Sequence, residues 1–141
     1  MKKIQGWGLA DSFTYYGEVD RAQKIRFLRN IDVFSVPTTY AESKGLPILE
    51  SLANGTPVVQ PNHGTFPAML ETTGGGLLFA PHSPEALAKN IAWLLRDKKL
   101  RHQLGTIGKK AVHTHYHDDA TAATTLAIYE QYAAVSASGT V

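Results

Sequence analysis

Two glutamates eight positions apart, Glu42 and Glu50, are the side chains of this sequence with the most to offer chemically. Ser43, Lys44, Gly45, Leu46 and Pro47 follow the first of them. Glycine tolerates close approach of backbone to a ligand, so Gly45 and Leu46 can turn bare N–H groups outward. Gly45-Leu46-Pro47 also opens a helical pattern, with proline in the first turn where its missing N–H costs nothing. A helix N-terminus is a ready anion site, through unpaired N–H groups and the macrodipole. Carboxylates flanking that site can accept hydrogen bonds from hydroxyls, so the arrangement suits a ligand with both phosphate and sugar hydroxyls. Taken alone, the spacing has a plainer explanation. Glu50 is placed in the first turn of the helix, where the dipole favours acidic residues without any ligand.

Other candidates carry less. His63 and Gly64 sit in a loop at the expected edge of the same crevice, near a substrate but not obviously catalytic. Gly74-Gly75-Gly76 precedes a strand pattern and lacks the Gly-Lys-Ser/Thr ending of a phosphate loop, so it reads as a tight turn. His113, His115 and His117 alternate at the end of a helical stretch. Residues two apart on a helix point in different directions, so they read as surface histidines rather than a chelate.

The elements that must hold these residues alternate between strand and helix. Phe13–Tyr16, Ile31–Val36, Pro57–Gln60 and Leu77–Phe79 read as short strands, the last three apolar enough to be buried on both faces. Asp20 with Gln23 forms a variant capping box ahead of Ala22, Ile25 and Leu28, with Arg21, Lys24, Arg26 and Arg29 expected to face outward. Ile48, Leu49, Leu52 and Ala53 make the buried stripe of the helix after Gly45, closed by Asn54-Gly55. A weak helix spans about residues 65–71. Ser83-Pro84 caps another, whose inner face is Leu87, Ile91, Leu94 and Leu95. Leu100, Leu104, Ile107 and Ala111 form the next face, and a last helix runs from about Asp118 through Ile128, Tyr129 and Tyr132. Residues 136–141 read as a flexible tail. Such alternation means a parallel sheet with helices on both faces, with ligands bound outside the carboxyl ends of the strands.

Composition sets the outer bounds. The 141 residues are one domain's worth of chain, 43% apolar and 18% charged, with 12 Gly and 7 Pro. The absence of cysteine excludes disulfides, thiolate metal sites and cysteine nucleophiles. A net charge of +2 gives no argument for nucleic acid. No stretch approaches the roughly 18 apolar residues of a membrane span, and the start has no signal-peptide pattern, so a cytoplasmic setting is expected.

The run Tyr40-Ala41-Glu42-Ser43-Lys44-Gly45-Leu46-Pro47-Ile48-Leu49-Glu50-Ser51-Leu52-Ala53-Asn54-Gly55-Thr56-Pro57-Val58-Val59 resembles the signature of glycosyltransferase family 4, also called group 1. Tyr16-Gly17-Glu18-Val19 and Ile31–Pro37 resemble the family's segments before it, and His63-Gly64-Thr65-Phe66-Pro67 and Gly75–Phe79 those after it. The resemblance extends over roughly residues 8 to 132. It implies retaining enzymes of GT-B fold whose C-terminal, Rossmann-like domain binds a nucleotide-activated sugar. Carried over residue by residue, it gives Glu42 the donor-sugar hydroxyls near the reacting carbon and Glu50 the ribose hydroxyls. Ser43, Lys44, Gly45 and Leu46 fall in the loop whose backbone faces the sugar and diphosphate. Relatives often carry an aromatic residue, usually Phe, where this chain has Lys44. That ammonium could add charge beside the diphosphate, or be an ordinary solvated lysine. The resemblance implies no metal and no cofactor, since fixed positive groups and helix dipoles stabilise the departing diphosphate.

The same resemblance shows what is lacking. Nothing in the chain resembles the family's N-terminal domain, nor the first strands of the C-terminal one with their diphosphate-neutralising Arg and Lys. Residues 1–135 therefore read as a partial C-terminal nucleotide-sugar-binding domain, with the last three strands kept. The Phe13–Tyr16 strand is expected to be displaced, paired out of order or paired with another chain. The Ile31–Val36 strand is expected to have an open edge, a site for self-association. The leading expectation is the donor-binding part of a retaining glycosyltransferase, inactive by itself, with an unidentified acceptor and a membrane-peripheral setting open for the whole enzyme. Its rivals are a non-catalytic or split module needing a partner chain, and another GT-B enzyme such as a sugar-nucleotide epimerase, which the two glutamates disfavour.

Overall fold

Strands form where alternate side chains can be buried on opposite faces. In the computed structural model, which describes residues 6–138, β1 (Val58–Pro61) and β2 (Gly76–Phe79) pair in parallel, with Val58 opposite Gly76 and Pro61 opposite Phe79. The helices are α1 (Arg21–Asn30), α2 (Leu46–Ala53), α3 (Phe66–Thr73), α4 (Pro84–Arg96), α5 (Lys98–His115) and α6 (Asp118–Ser138). Val58 and Leu78 point to one face, where Ile48, Leu52, Phe66, Met69, Leu70 and Val112 from α2, α3 and α5 form the larger core. Val59, Leu77 and Phe79 point to the other, where Leu94, Leu87 and Ile91 of α4 meet Leu100 and Leu104 of α5. The period-2 alternation expected of a strand is thus visible as two separate apolar clusters.

The third expected strand is reduced. Of Ile31–Val36 only Phe34 makes a parallel bridge, to Val58, through its own N–H to the Pro57 carbonyl at 3.0 Å and its carbonyl to the Val59 N–H at 3.0 Å. Beyond Phe34 side chains replace the ladder: the Ser35 hydroxyl donates to the Val59 carbonyl at 2.6 Å, and the Val36 N–H donates to Gln60 Oε1 at 3.2 Å. Among the described residues no strand lies on its far side. The order Ile31–Val36, β1, β2 is the one expected, with the outer member held from one side alone.

Phe13–Tyr16 is not a strand. The segment follows a short 3-10 turn (Ala10–Ser12), and residues 6–20 are exposed. A strand needs a neighbour for its backbone groups, and none is present here among the described residues. Tyr16 rests edge-on against Phe27, the ring centroids 5.3 Å apart.

Local signals set the helix ends. In α1 the Asp20 carboxylate accepts from the Gln23 N–H at 2.8 Å, and the Gln23 side chain accepts from the Asp20 N–H at 2.9 Å. Ser83 caps α4 through the Ala86 N–H at 3.2 Å. Four details differ from the sequence expectation. Ala22, Leu95 and Ile107 are exposed. Lys24 turns inward, towards α2. Glu50 lies in the second turn of α2, since that helix already starts at Leu46. The α6 helix continues through Ser138, so the tail expected from Ser136 is helical at its start, and residues 139–141 lie outside the described ones. Gly105 and Gly108 of α5, which the apolar pattern did not mark, are buried against the Gly55 and Gly75 turns, where a Cβ would meet backbone.

Candidate functional site

Glu42 lies in the loop that leaves the Phe34 bridge and leads to α2. Its carbonyl accepts the Thr65 N–H at 2.8 Å, which ties this loop to the start of α3. Its carboxylate folds back on the following turn: Oε1 accepts the N–H groups of Ser43 at 3.1 Å, Lys44 at 3.0 Å and Gly45 at 3.4 Å. The N–H of Lys44, then that of Gly45, hold this carboxyl below its ordinary pKa; Ser43 and the Lys44 ammonium add to the effect, against some desolvation. Oε2 has no donor among the described residues.

This geometry revises the expected anion site. The Gly45 N–H is turned to Glu42, not left bare. Pro47 has no N–H, and the Ile48 N–H is bonded to the Gly45 carbonyl at 2.9 Å. Leu46 keeps its N–H without a partner among the described residues. Gly45 is required for a different reason: it sits at φ +63°, and a Cβ there would come 2.6 Å from Met69 Cε. Ser43 and Lys44 are exposed.

Glu50 is not free either. Lys24 Nζ of α1 donates to its Oε1 at 2.6 Å, with both side chains 42% exposed. Sequence reading missed this pair, because a lysine in a basic, solvent-facing pattern carries no sign of a partner on another helix. Nearby, Arg29 Nε donates to Asn54 Oδ1 at 3.1 Å, a second polar tie between α1 and α2.

His63 and Gly64 are close to Glu42 in different ways. The His63 Nε2–H donates to the Thr38 carbonyl at 3.0 Å, and its buried Nδ1 has no partner among the described residues. The amide Nε2 of fully buried Gln60 and the Thr38 hydroxyl oxygen also have no partner among the described residues. Gly64, at φ +59°, packs directly on the Glu42 backbone. The candidate residues thus fall in two groups: Glu42 in a loop braced by His63 and Gly64, and Glu50 paired with Lys24 across α1 and α2.

The alternating histidines do not converge. His113 reaches the Ala53 carbonyl at 3.3 Å through Nε2, and His115 is exposed. His117 lies within 4.8 Å of Asp118 and Asp119 carboxylates, all exposed. Local bonds account for that group, since His117 Nδ1 accepts the Ala120 N–H and Asp118 the Asp119 N–H at the start of α6.

A parallel sheet clothed by helices on both faces, open at one edge, with its acidic site beyond the strand ends, is the architecture of an incomplete C-terminal domain of the GT-B fold. The family model described as glycosyl transferases group 1 matches residues 1–111, and the chain belongs to that family. It is 33% identical over 131 residues to a phosphatidyl-myo-inositol mannosyltransferase of Mycobacterium leprae, covering 93% of this chain and 35% of that protein. Sucrose-phosphate synthase of Thermosynechococcus elongatus superposes with a TM-score of 0.83 at 29% identity, over 95% of this chain and 33% of that one. The C-terminal domain of a group 1 glycosyl transferase from Francisella tularensis gives 0.73 at 26% identity, over 83% of this chain and 60% of its own. The chain thus spans about a third of the length of the curated relatives it matches. Among the described residues no helix is long and apolar enough to cross a membrane.

Proposed function

We propose that this chain is the donor-binding part of a retaining glycosyltransferase that uses a nucleotide-activated sugar. The observation that carries the reading is the pair of carboxylates, Glu42 in the loop before α2 and Glu50 in its second turn. Each keeps one oxygen fixed by the protein, through loop N–H groups or Lys24, and so has the other to offer to hydroxyls. In this reading Glu42 faces the donor sugar and Glu50 the ribose. The bond between the anomeric carbon and the diphosphate breaks, and the bond to the acceptor oxygen forms on the same face. The acceptor proton leaves with the nucleoside diphosphate. Positioning and fixed charge supply the catalysis, without a metal or cofactor. The acceptor site belongs to parts of the protein outside these residues, so the chain by itself binds without transferring, in a cytoplasmic setting.

Titration calorimetry of the chain with UDP, GDP, ADP and their sugars tests the reading. One nucleotide series binds, and Glu50→Ala weakens it; no binding, or no effect of Glu50→Ala, overturns it. A second reading, a split or non-catalytic module completed by a partner, is favoured by the Ile31–Val36 edge, held from one side only. Sedimentation across a concentration series separates self-association through that edge from a monomer.

A further inference from the structure

We propose that Lys24 is a positioning residue for Glu50: its ammonium fixes one carboxylate oxygen so that the other is presented to the hydroxyls of a nucleotide ribose. The inference rests on the reading of Glu50 given above. Lys24 and Glu50 come from different helices, 26 positions apart, and meet at 2.6 Å. The meeting is prepared locally. The Asp20–Gln23 capping box fixes the first turn of α1, and the Lys24 N–H donates to the Asp20 carbonyl at 2.9 Å, which places the lysine one turn inside the helix.

A glutamate side chain has several freely rotating torsions, and freezing them is costly if it must happen when the ligand arrives. An ion pair already formed in the free protein lowers that cost at the moment of binding. Helix docking does not depend on the pair. Arg29 of α1 bonds Asn54 at the end of α2, Leu28 of α1 is 3% exposed, and the Thr56 hydroxyl donates to the Leu28 carbonyl. Half-exposed ion pairs contribute little to stability, so the value of this one lies in where it holds the carboxylate.

The test is an NMR titration of the full chain with UDP and GDP and with their 2′,3′-dideoxy forms. The unaltered protein prefers the ribose form of the nucleotide it binds. Lys24→Met reduces that preference about fivefold while affinity for the dideoxy form stays within about twofold, and Lys24→Arg recovers most of the loss. Arg29→Ala, the control, lowers the unfolding midpoint and keeps the ribose preference. A Lys24→Met protein with undiminished preference overturns the inference and leaves the reading of Glu50 standing. Equal loss in Lys24→Met and Arg29→Ala also overturns it, since helix docking then explains the effect. If the unaltered protein binds no nucleotide or ignores the ribose hydroxyls, the reading of Glu50 falls and the inference with it.

Discussion

Replacing Gly64 by alanine puts the link between the fold and the Glu42 loop under direct strain. Two separate costs arise. Gly64 sits at φ +59°, a conformation that costs an L-residue roughly 1–2 kcal/mol. The added Cβ would also stand 2.6 Å from the Glu42 carbonyl oxygen and 2.7 Å from the Glu42 nitrogen. These are backbone atoms that cannot swing aside, and moving them breaks the 2.8 Å bond from the Thr65 N–H to Glu42. Overpacking of this kind costs about 1–3 kcal/mol. Gly64→Ala should therefore lose about 2–5 kcal/mol, a large part of the roughly 5–15 kcal/mol that holds a domain together.

Gly74 provides the comparison. It has the same φ of +59° at the end of α3, but a Cβ there meets only the Ile107 Cγ2 methyl, at 3.1 Å. Gly74→Ala therefore carries the backbone strain without the collision with Glu42. Urea unfolding followed by circular dichroism measures both variants, and the excess loss in Gly64→Ala is the cost of the contact with Glu42. Where the loop yields instead of the fold, the excess appears as lost nucleotide affinity in calorimetry. If Gly64→Ala matches Gly74→Ala in both stability and binding, Gly64 does not support the Glu42 loop.

Three further outcomes are expected. Glu42→Gln removes a carboxyl whose folded pKa lies below its unfolded one, so its contribution is complete above the unfolded value and lost as pH falls through the folded one. Urea midpoints of the two proteins should differ by a constant amount at neutral pH and converge in acid; a gap that widens in acid contradicts this. Leu52→Ala, at a fully buried position between the α2 and α5 backbones, should lose about 2–5 kcal/mol in the same assay, and a loss under about 1 kcal/mol would mean the larger core is not closed there. Nucleoside monophosphates and diphosphates should bind this chain within about threefold of one another, and a diphosphate preference above about tenfold would show a phosphate site these residues do not explain.

Much of the fold was legible because its causes are local. Capping at Asp20 and Ser83, proline at the start of α2 and α4, and turn chemistry at Gly74 act over three or four residues, and each is where the sequence placed it. The strand at Phe13–Tyr16 failed for the opposite reason. Its aromatic and β-branched residues favour extended backbone, but a strand exists only with a partner, and a partner is a property of the fold. The site divides along the same line. Glu42 and Glu50 were singled out by the resemblance of the run around them to a family signature, their spacing alone having a plainer explanation. Lys24 was not, because a contact between α1 and α2 leaves no mark on the spacing within either. The N–H groups of the Gly45 turn were correctly located, and their recipient was not: a flexible glutamate three residues back competes for them more effectively than a sequence pattern reveals.

That competition bears on how the site handles charge. Glu42 and Glu50 bring two negative charges to the mouth of α2, and Lys44 and Lys24 bring two positive ones, so the set is neutral before any ligand arrives. Glu42 has also taken three of the backbone donors that would otherwise face an anion. A departing diphosphate needs fixed positive charge directed at it in a site that excludes water. Under the proposed reading these residues do not supply that charge. They read hydroxyls, on the sugar through Glu42 and on the ribose through Glu50, and the neutral balance suits that task because it leaves each carboxylate one oxygen to accept with. Under that reading, recognition of the donor and stabilisation of its leaving group are separate duties of separate residues, and Glu42 and Glu50 carry the first.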